Sequence, residues 1–124
     1  MLKSKFRLRS SHDFDRIYKE GKRVKGEFGM LIYICGNNDD PPKFGFIVNK
    51  KIGNAVRRHK HQRRLRHIVH EFFISVDDAS SKRSSIFNGI SFSYIAFKYT
   101  DDYSSLKNEL LKQIKYVEDQ QKGN

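Results

Sequence analysis

Between Asp40 and Glu71 the chain carries no acidic residue, yet nine Lys or Arg fall there, most of them in the string Lys51-Ile-Gly-Asn-Ala-Val-Arg-Arg-His-Lys-His-Gln-Arg-Arg-Leu-Arg66. From its end onward Leu65, Ile68, Val69 and Phe72 recur at i, i+3, i+4 and i+7, the spacing of a helix that buries one stripe. An ordinary solvated helix mixes charge signs, because Glu–Lys pairs at i,i+4 stabilise it and like charges at that spacing destabilise it. A helix that forgoes every such pair must dock by its apolar stripe and turn its charges toward a polyanion, whose phosphates relieve the repulsion.

The charge is also unevenly placed. Residues 1–70 hold 18 Lys or Arg against 6 Asp or Glu, whereas residues 71–124 hold 7 against 8. The net charge of +11 therefore belongs to the first half. With 124 residues, 37% of them hydrophobic and 13% aromatic, the chain is expected to fold as one domain around a single core rather than to remain a disordered basic tail. Cys35 is the only cysteine, which excludes an intrachain disulfide and a thiolate metal site and fits the cytoplasm. The basic N-terminus has no apolar stretch after it and no run reaches the length of a membrane span, so neither export nor a membrane partner is expected.

Residues 1–10, with Lys3, Lys5, Arg7 and Arg9 alternating, read as an extended basic arm. Ser11 or Asp13 caps a short helix to about Lys19 that carries Phe14, Ile17 and Tyr18 and stops at Gly21. Phe28 to Cys35 and Phe44 to Val48 read as strands, most simply an adjacent antiparallel pair across the turn-forming Gly36-Asn-Asn-Asp-Asp-Pro-Pro42. The basic helix then runs to about Phe73, and a Ser- and Asp-rich loop covers Ser75 to Asn88. A strand apolar on both faces covers Ile90 to Tyr99. A last helix, capped by Asp101 or Asp102, carries the stripe Leu106, Leu110, Leu111, Ile114 and Val117, with residues 118–124 expected to fray. The fold class is α+β: a two-layer α/β sandwich with a small, mostly antiparallel sheet packed by helices.

Projected at about 100° per residue, the basic helix places Arg58, His59, Gln62, Arg63 and Arg66 along a flank of its buried face, and Arg57, Lys60, Arg64 and His67 farther round. Guanidinium forks match phosphate oxygens, and Gly53-Asn54 offers a permissive turn at a helix N-terminus with Lys50 and Lys51 beside it. His59 and His61 diverge by about 200° on a helix and cannot share a metal ion, and His67 with His70 lacks a third ligand. Ser11-His12-Asp13 is consecutive and cannot form a catalytic triad. The pairs Asp39-Asp40, Asp77-Asp78 and Asp101-Asp102 suit turns and caps rather than a self-sufficient metal nuclease.

The run Lys43 to Arg66, with Lys50-Lys51-Ile-Gly-Asn-Ala-Val56 leading into the Arg-rich helix, resembles the bacterial ribonuclease P protein component; Asp13-Phe14, Tyr18 and Gly21 resemble its N-terminal pattern. His59, Lys60 and Gln62 depart from the residues usual there, while Arg58, Arg63 and Arg66 match. His61 stands where the family tends to place a core Val. The resemblance implies a ribonucleoprotein subunit, with the parallel strands joined by an atypical left-handed crossover around the basic helix. Its partners would be the catalytic RNA and precursor tRNA, and the reaction is endonucleolytic removal of the 5′ leader. Catalysis and Mg²⁺ would reside with the RNA, leaving no catalytic or metal-ligating side chain here. RNA binding is then expected at Lys50, Lys51, Asn54, Arg57, Arg58, His59, Lys60, Gln62, Arg63 and Arg66. A cleft between the first helix and the sheet would hold the unpaired leader against Phe14 and Tyr18; without the resemblance, those two rings read as core of a short amphipathic helix. The competing class is a noncatalytic basic RNA- or DNA-binding module such as a ribosomal protein.

Overall fold

A computed structural model describes residue 8 and residues 11–36, 42–77 and 87–122, the side chains of residues 73–77 and 122 excepted. In chain order it contains α1 (Ser11–Glu20), β1 (Lys22–Lys25), β2 (Gly29–Cys35), β3 (Lys43–Ile47), a 3₁₀ turn (Lys50–Ile52), α2 (Ala55–Asp77), β4 (Ile90–Ala96) and α3 (Tyr103–Lys122). The basic arm apart from Leu8, and most of the two long loops, lie outside the described residues.

The described strands form one sheet in the order β1-β2-β4-β3. β1 and β4 each pair antiparallel with β2, and β3 runs parallel to β4 with Phe44 opposite Phe92 and Phe46 opposite Tyr94. The expected β2–β3 hairpin is therefore corrected: β4 lies between those strands. The reason is burial. β4 sends Phe92, Tyr94 and Ala96 into one core and packs Ile95 against another, so it needs covering elements on both faces and occupies the middle of the sheet. β1 went unforeseen because its sequence, Lys-Arg-Val-Lys, has one apolar residue, the composition of a protected sheet edge.

The larger core lies under α2 and α3, where Leu65, Ile68 and Val69 meet Leu106, Leu110, Ile114 and Val117 over Leu31, Phe44, Phe92 and Tyr94. The smaller one lies on the other face, where Ile17 of α1 and Leu8 cover Met30 and Ile32. Gly21 lets α1 end close to the sheet: a Cβ there would come within 2.7 Å of Ile32 Cγ2 and 2.9 Å of the Tyr33 carbonyl oxygen.

Of the two candidate caps for α3, Asp102 is the one used; it accepts from Ser105 N at 3.2 Å and Ser105 Oγ at 2.8 Å, and these bonds hold its carboxyl below the usual range. The helix does not fray at 118. It continues to Lys122, with Val117 fully buried and Glu118 only 8% exposed, so its apolar stripe keeps the last turns on the sheet.

Candidate nucleic-acid interface

The approach to α2 is built by two asparagines and a glycine. Asn49 Oδ1 accepts from Lys51 N at 3.0 Å and so caps the 3₁₀ turn, while Asn54 Oδ1 accepts from Arg57 N at 2.9 Å and caps α2. Gly53 between them has φ 140°, a region that costs a side chain strain, and a Cβ there would also approach Arg57 Cδ at 2.6 Å. The Gly-Asn pair thus turns the chain into the helix with Lys50 and Lys51 exposed beside it. Asn54 spends its side-chain carbonyl on the cap, which makes its role one of positioning.

The two flanks of α2 differ more than their shared basicity suggests. One is stitched to the segment after β4. The Arg57 guanidinium lies 4.6 Å over the Tyr99 ring, Lys60 Nζ stands 3.9 Å from Asp101 Oδ1, and Arg64 donates to the Thr100 carbonyl at 3.0 Å. Tyr99 in turn donates its hydroxyl to Asp101 at 2.8 Å. Under this clasp His61 is fully buried 5.5 Å from the Tyr99 ring, with no hydrogen-bond partner on either nitrogen among the described residues. Burial, seconded by the nearby Arg64 charge, holds its pKa below the ordinary imidazole value, so it sits in the fold as the neutral form.

The other flank opens onto the edge of the sheet. Arg58, His59 and Gln62 line a cleft of about 150 Å³ with Val48 and Ala55, and Gln62 continues into a second of about 240 Å³ with Arg66, Leu8, Phe14, Phe44, Gly45 and Phe46. Together they form a groove along β3, walled by α1 on one side and α2 on the other. Its floor depends on Gly45, because a Cβ there would run into the Phe14 ring and come within 3.1 Å of Leu8 Cβ. Leu8 is held to the same strand by its backbone N–H, which donates to the Phe44 carbonyl at 2.8 Å.

The structure therefore brings Phe14, Arg58, His59, Gln62 and Arg66 to one groove, leaves Arg63 exposed on the helix between the two flanks, and places Arg57 and Lys60 in the clasp. Tyr18 is 52% exposed and lies under the Arg23 guanidinium, 4.6 Å from its ring centroid, outside the lining of the groove. Sequence reasoning missed Phe46, Gly45 and Leu8 as groove residues; Gly45 inside an otherwise apolar strand was the available signal, since such a glycine marks close approach by another group.

The arrangement supplies guanidiniums, an amide and aromatic rings along an open channel. The described residues that line it carry no carboxylate, so it offers a cation none of the anionic oxygen ligands that Mg²⁺ prefers.

A family model described as Ribonuclease P matches residues 2–115. A ribonuclease P protein component from Syntrophomonas wolfei is 46% identical over 72 residues, which span 58% of this chain and 60% of that relative. One from Streptococcus pneumoniae is 30% identical over 125 aligned positions, spanning 99% of this chain and 93% of the relative. The solved structure of the ribonuclease P protein from Staphylococcus aureus superposes with a TM-score of 0.63 at 27% identity, covering 95% of this chain and 94% of that one.

Proposed function

The chain belongs to the bacterial ribonuclease P protein family, and from that premise we propose that it is the protein subunit of a ribonucleoprotein endonuclease, in which α2 binds the catalytic RNA and the groove along β3 holds the 5′ leader of precursor tRNA. The observation that carries this reading is the juxtaposition in one channel of the Phe14 ring, seated on Gly45, with Gln62 and Arg66 of the basic helix. An unpaired strand needs a ring on which bases stack whatever their identity and cations spaced along its backbone, and this groove has both. Stacking of that kind is worth about 1 to 3 kcal/mol per base. It suits a processing factor that meets many leader sequences.

Arg63, with Lys50 and Lys51 ahead of the helix, supplies charge for phosphates of the catalytic RNA, and Arg58 and Arg66, on the α2 wall of the groove, stand where that RNA meets the leader. Arg57 and Lys60 contribute charge at longer range, from within the clasp. Tyr18 stacks with Arg23 of β1, at the opposite edge of the sheet from β3, and has no part in this groove. In this reading the metal-assisted hydrolysis belongs to the RNA, and the protein's part is to position the substrate and offset phosphate repulsion.

Reconstitution tests the reading: cleavage of a leader-bearing precursor tRNA at low Mg²⁺, with catalytic RNA alone, protein alone, and the two together. Stimulation by the mixture alone is expected. Cleavage by the protein alone would make it a nuclease in its own right, and no effect on an active RNA would point to a noncatalytic ribosomal or DNA-binding module.

A further inference from the structure

A larger cavity of about 450 Å³ lies between α2 and the start of α3, lined by Lys60, Arg63, Arg64, Arg66, His67 and Tyr103. Its volume falls in the range of small-molecule sites, roughly 300 to 1,000 Å³. Tyr103 presents its ring to the cavity, while its hydroxyl is buried beneath the surface. The remaining walls are held in place. Arg64 is fixed by its bond to the Thr100 carbonyl at 3.0 Å, and His67 Nε2 stands 2.8 Å from Glu71 Oε1 with its ring 6.3 Å from that of Tyr103.

Two carboxylates border the cavity: Asp101 beside Lys60, and Glu71, which also reaches Lys107 at 3.4 Å. Against them stand four permanently charged cations among the lining residues, so the cavity remains an anion site. Charge alone would suit inorganic phosphate. The lining adds two aromatic rings, guanidinium planes and the aliphatic stems of the Lys and Arg side chains, which are surfaces for a nucleobase.

We infer that this cavity binds a single nucleotide, with its base against the rings of Tyr103 and His67 and its phosphate at the cationic rim. The source is either an unpaired nucleotide extruded from the RNA partner, which rests on the function proposed above, or a free mononucleotide.

The test is an NMR titration of the full chain, following the Tyr103 and His67 resonances, with AMP, UMP, inorganic phosphate and two RNA hairpins, one fully paired and one with a single unpaired nucleotide. AMP or UMP is expected to shift both residues at lower concentration than phosphate. Tyr103→Leu, which removes the ring under the base, is expected to weaken that binding about 5- to 150-fold. Arg63→Ala, at an exposed position, is a second variant should Tyr103→Leu melt early, and it is expected to weaken that binding about 2- to 10-fold. Tighter binding of the bulged hairpin than of AMP supports the site with RNA as its source, and the reverse supports it with a free nucleotide. Silence at Tyr103 and His67, phosphate binding as tightly as AMP, or unchanged affinity in both variants would overturn it. The catalytic RNA is absent throughout, so a negative result leaves the leader groove standing.

Discussion

Gly45 and His61 show how much a single position can decide here. The Phe14 ring occupies the space a Cβ would need at Gly45, so Gly45→Ala must either push the ring into the groove or shift α1 off the sheet. Overpacking of this kind costs about 1 to 3 kcal/mol. A lower melting temperature is expected, together with a loss of preference for precursor over mature tRNA; an unchanged preference would mean the ring's seat is unimportant. His61 gives a prediction about pH. Its folded pKa is lowered by burial and by Arg64, so protonation favours the unfolded chain. Its contribution is fully present above the unfolded value of about 6.5 and is lost as pH falls from there through the folded value. Melting temperature should therefore drop between about pH 7 and pH 5, and the drop should shrink in His61→Val. Equal pH slopes for the two proteins would contradict this. The sequence marked His61 for the core through the resemblance, which puts a Val there; its packing against Tyr99, 38 residues along the chain, is carried by no local pattern.

At the scale of elements, much of α2 was legible: its buried Leu65, Ile68 and Val69 and its two basic flanks follow from spacing, whereas the cap by Asn54, read only as part of a permissive turn, comes from the structure. What spacing does not reveal is which flank is occupied. The clasp depends on Tyr99, Thr100 and Asp101, which reach α2 only after β4 has inserted beside β3. That insertion was illegible for a similar reason, since strand neighbours are chosen by what each face must bury and sequential strands pair only about two-thirds of the time. The clasp separates two adjacent arginines. Arg58 lines the open groove with its Nε buried and unpartnered among the described residues, whereas Arg57 is already stacked on Tyr99. Arg58→Ala is expected to weaken binding of the catalytic RNA and lower the salt dependence by about one unit of slope, and Arg57→Ala to change that slope less. The reverse order, measured by binding across a salt series, would place the RNA on the clasped flank.

For the whole molecule, the sheet's two apolar faces explain how a chain of this size presents a groove at all. The larger core fixes α2 and α3 on one face, and the smaller fixes α1 and Leu8 on the other; the edge strand β3 is left between two walls that belong to different cores. Each wall is therefore anchored in its own core, and both also touch β3, α1 through Phe14 on Gly45 and α2 through the core that holds Phe44. The aromatic residues foreseen for the cleft divide accordingly: Phe14 faces β3 and enters the groove, while Tyr18 pairs with Arg23 of β1 on the outer side. Their i and i+4 spacing put both on one side of α1, but only the position of β3 decides which of them meets the channel.

If this groove holds the leader, the affinity of the holoenzyme for its substrate must depend on Phe14. Precursor tRNA and mature tRNA differ by the leader alone, so their affinity ratio isolates the groove from every other contact. Phe14→Ala is expected to weaken precursor binding by about 5- to 150-fold, the equivalent of one lost base stack, and to leave mature tRNA binding within twofold. Equal weakening for both RNAs, or none for the precursor, would contradict the account.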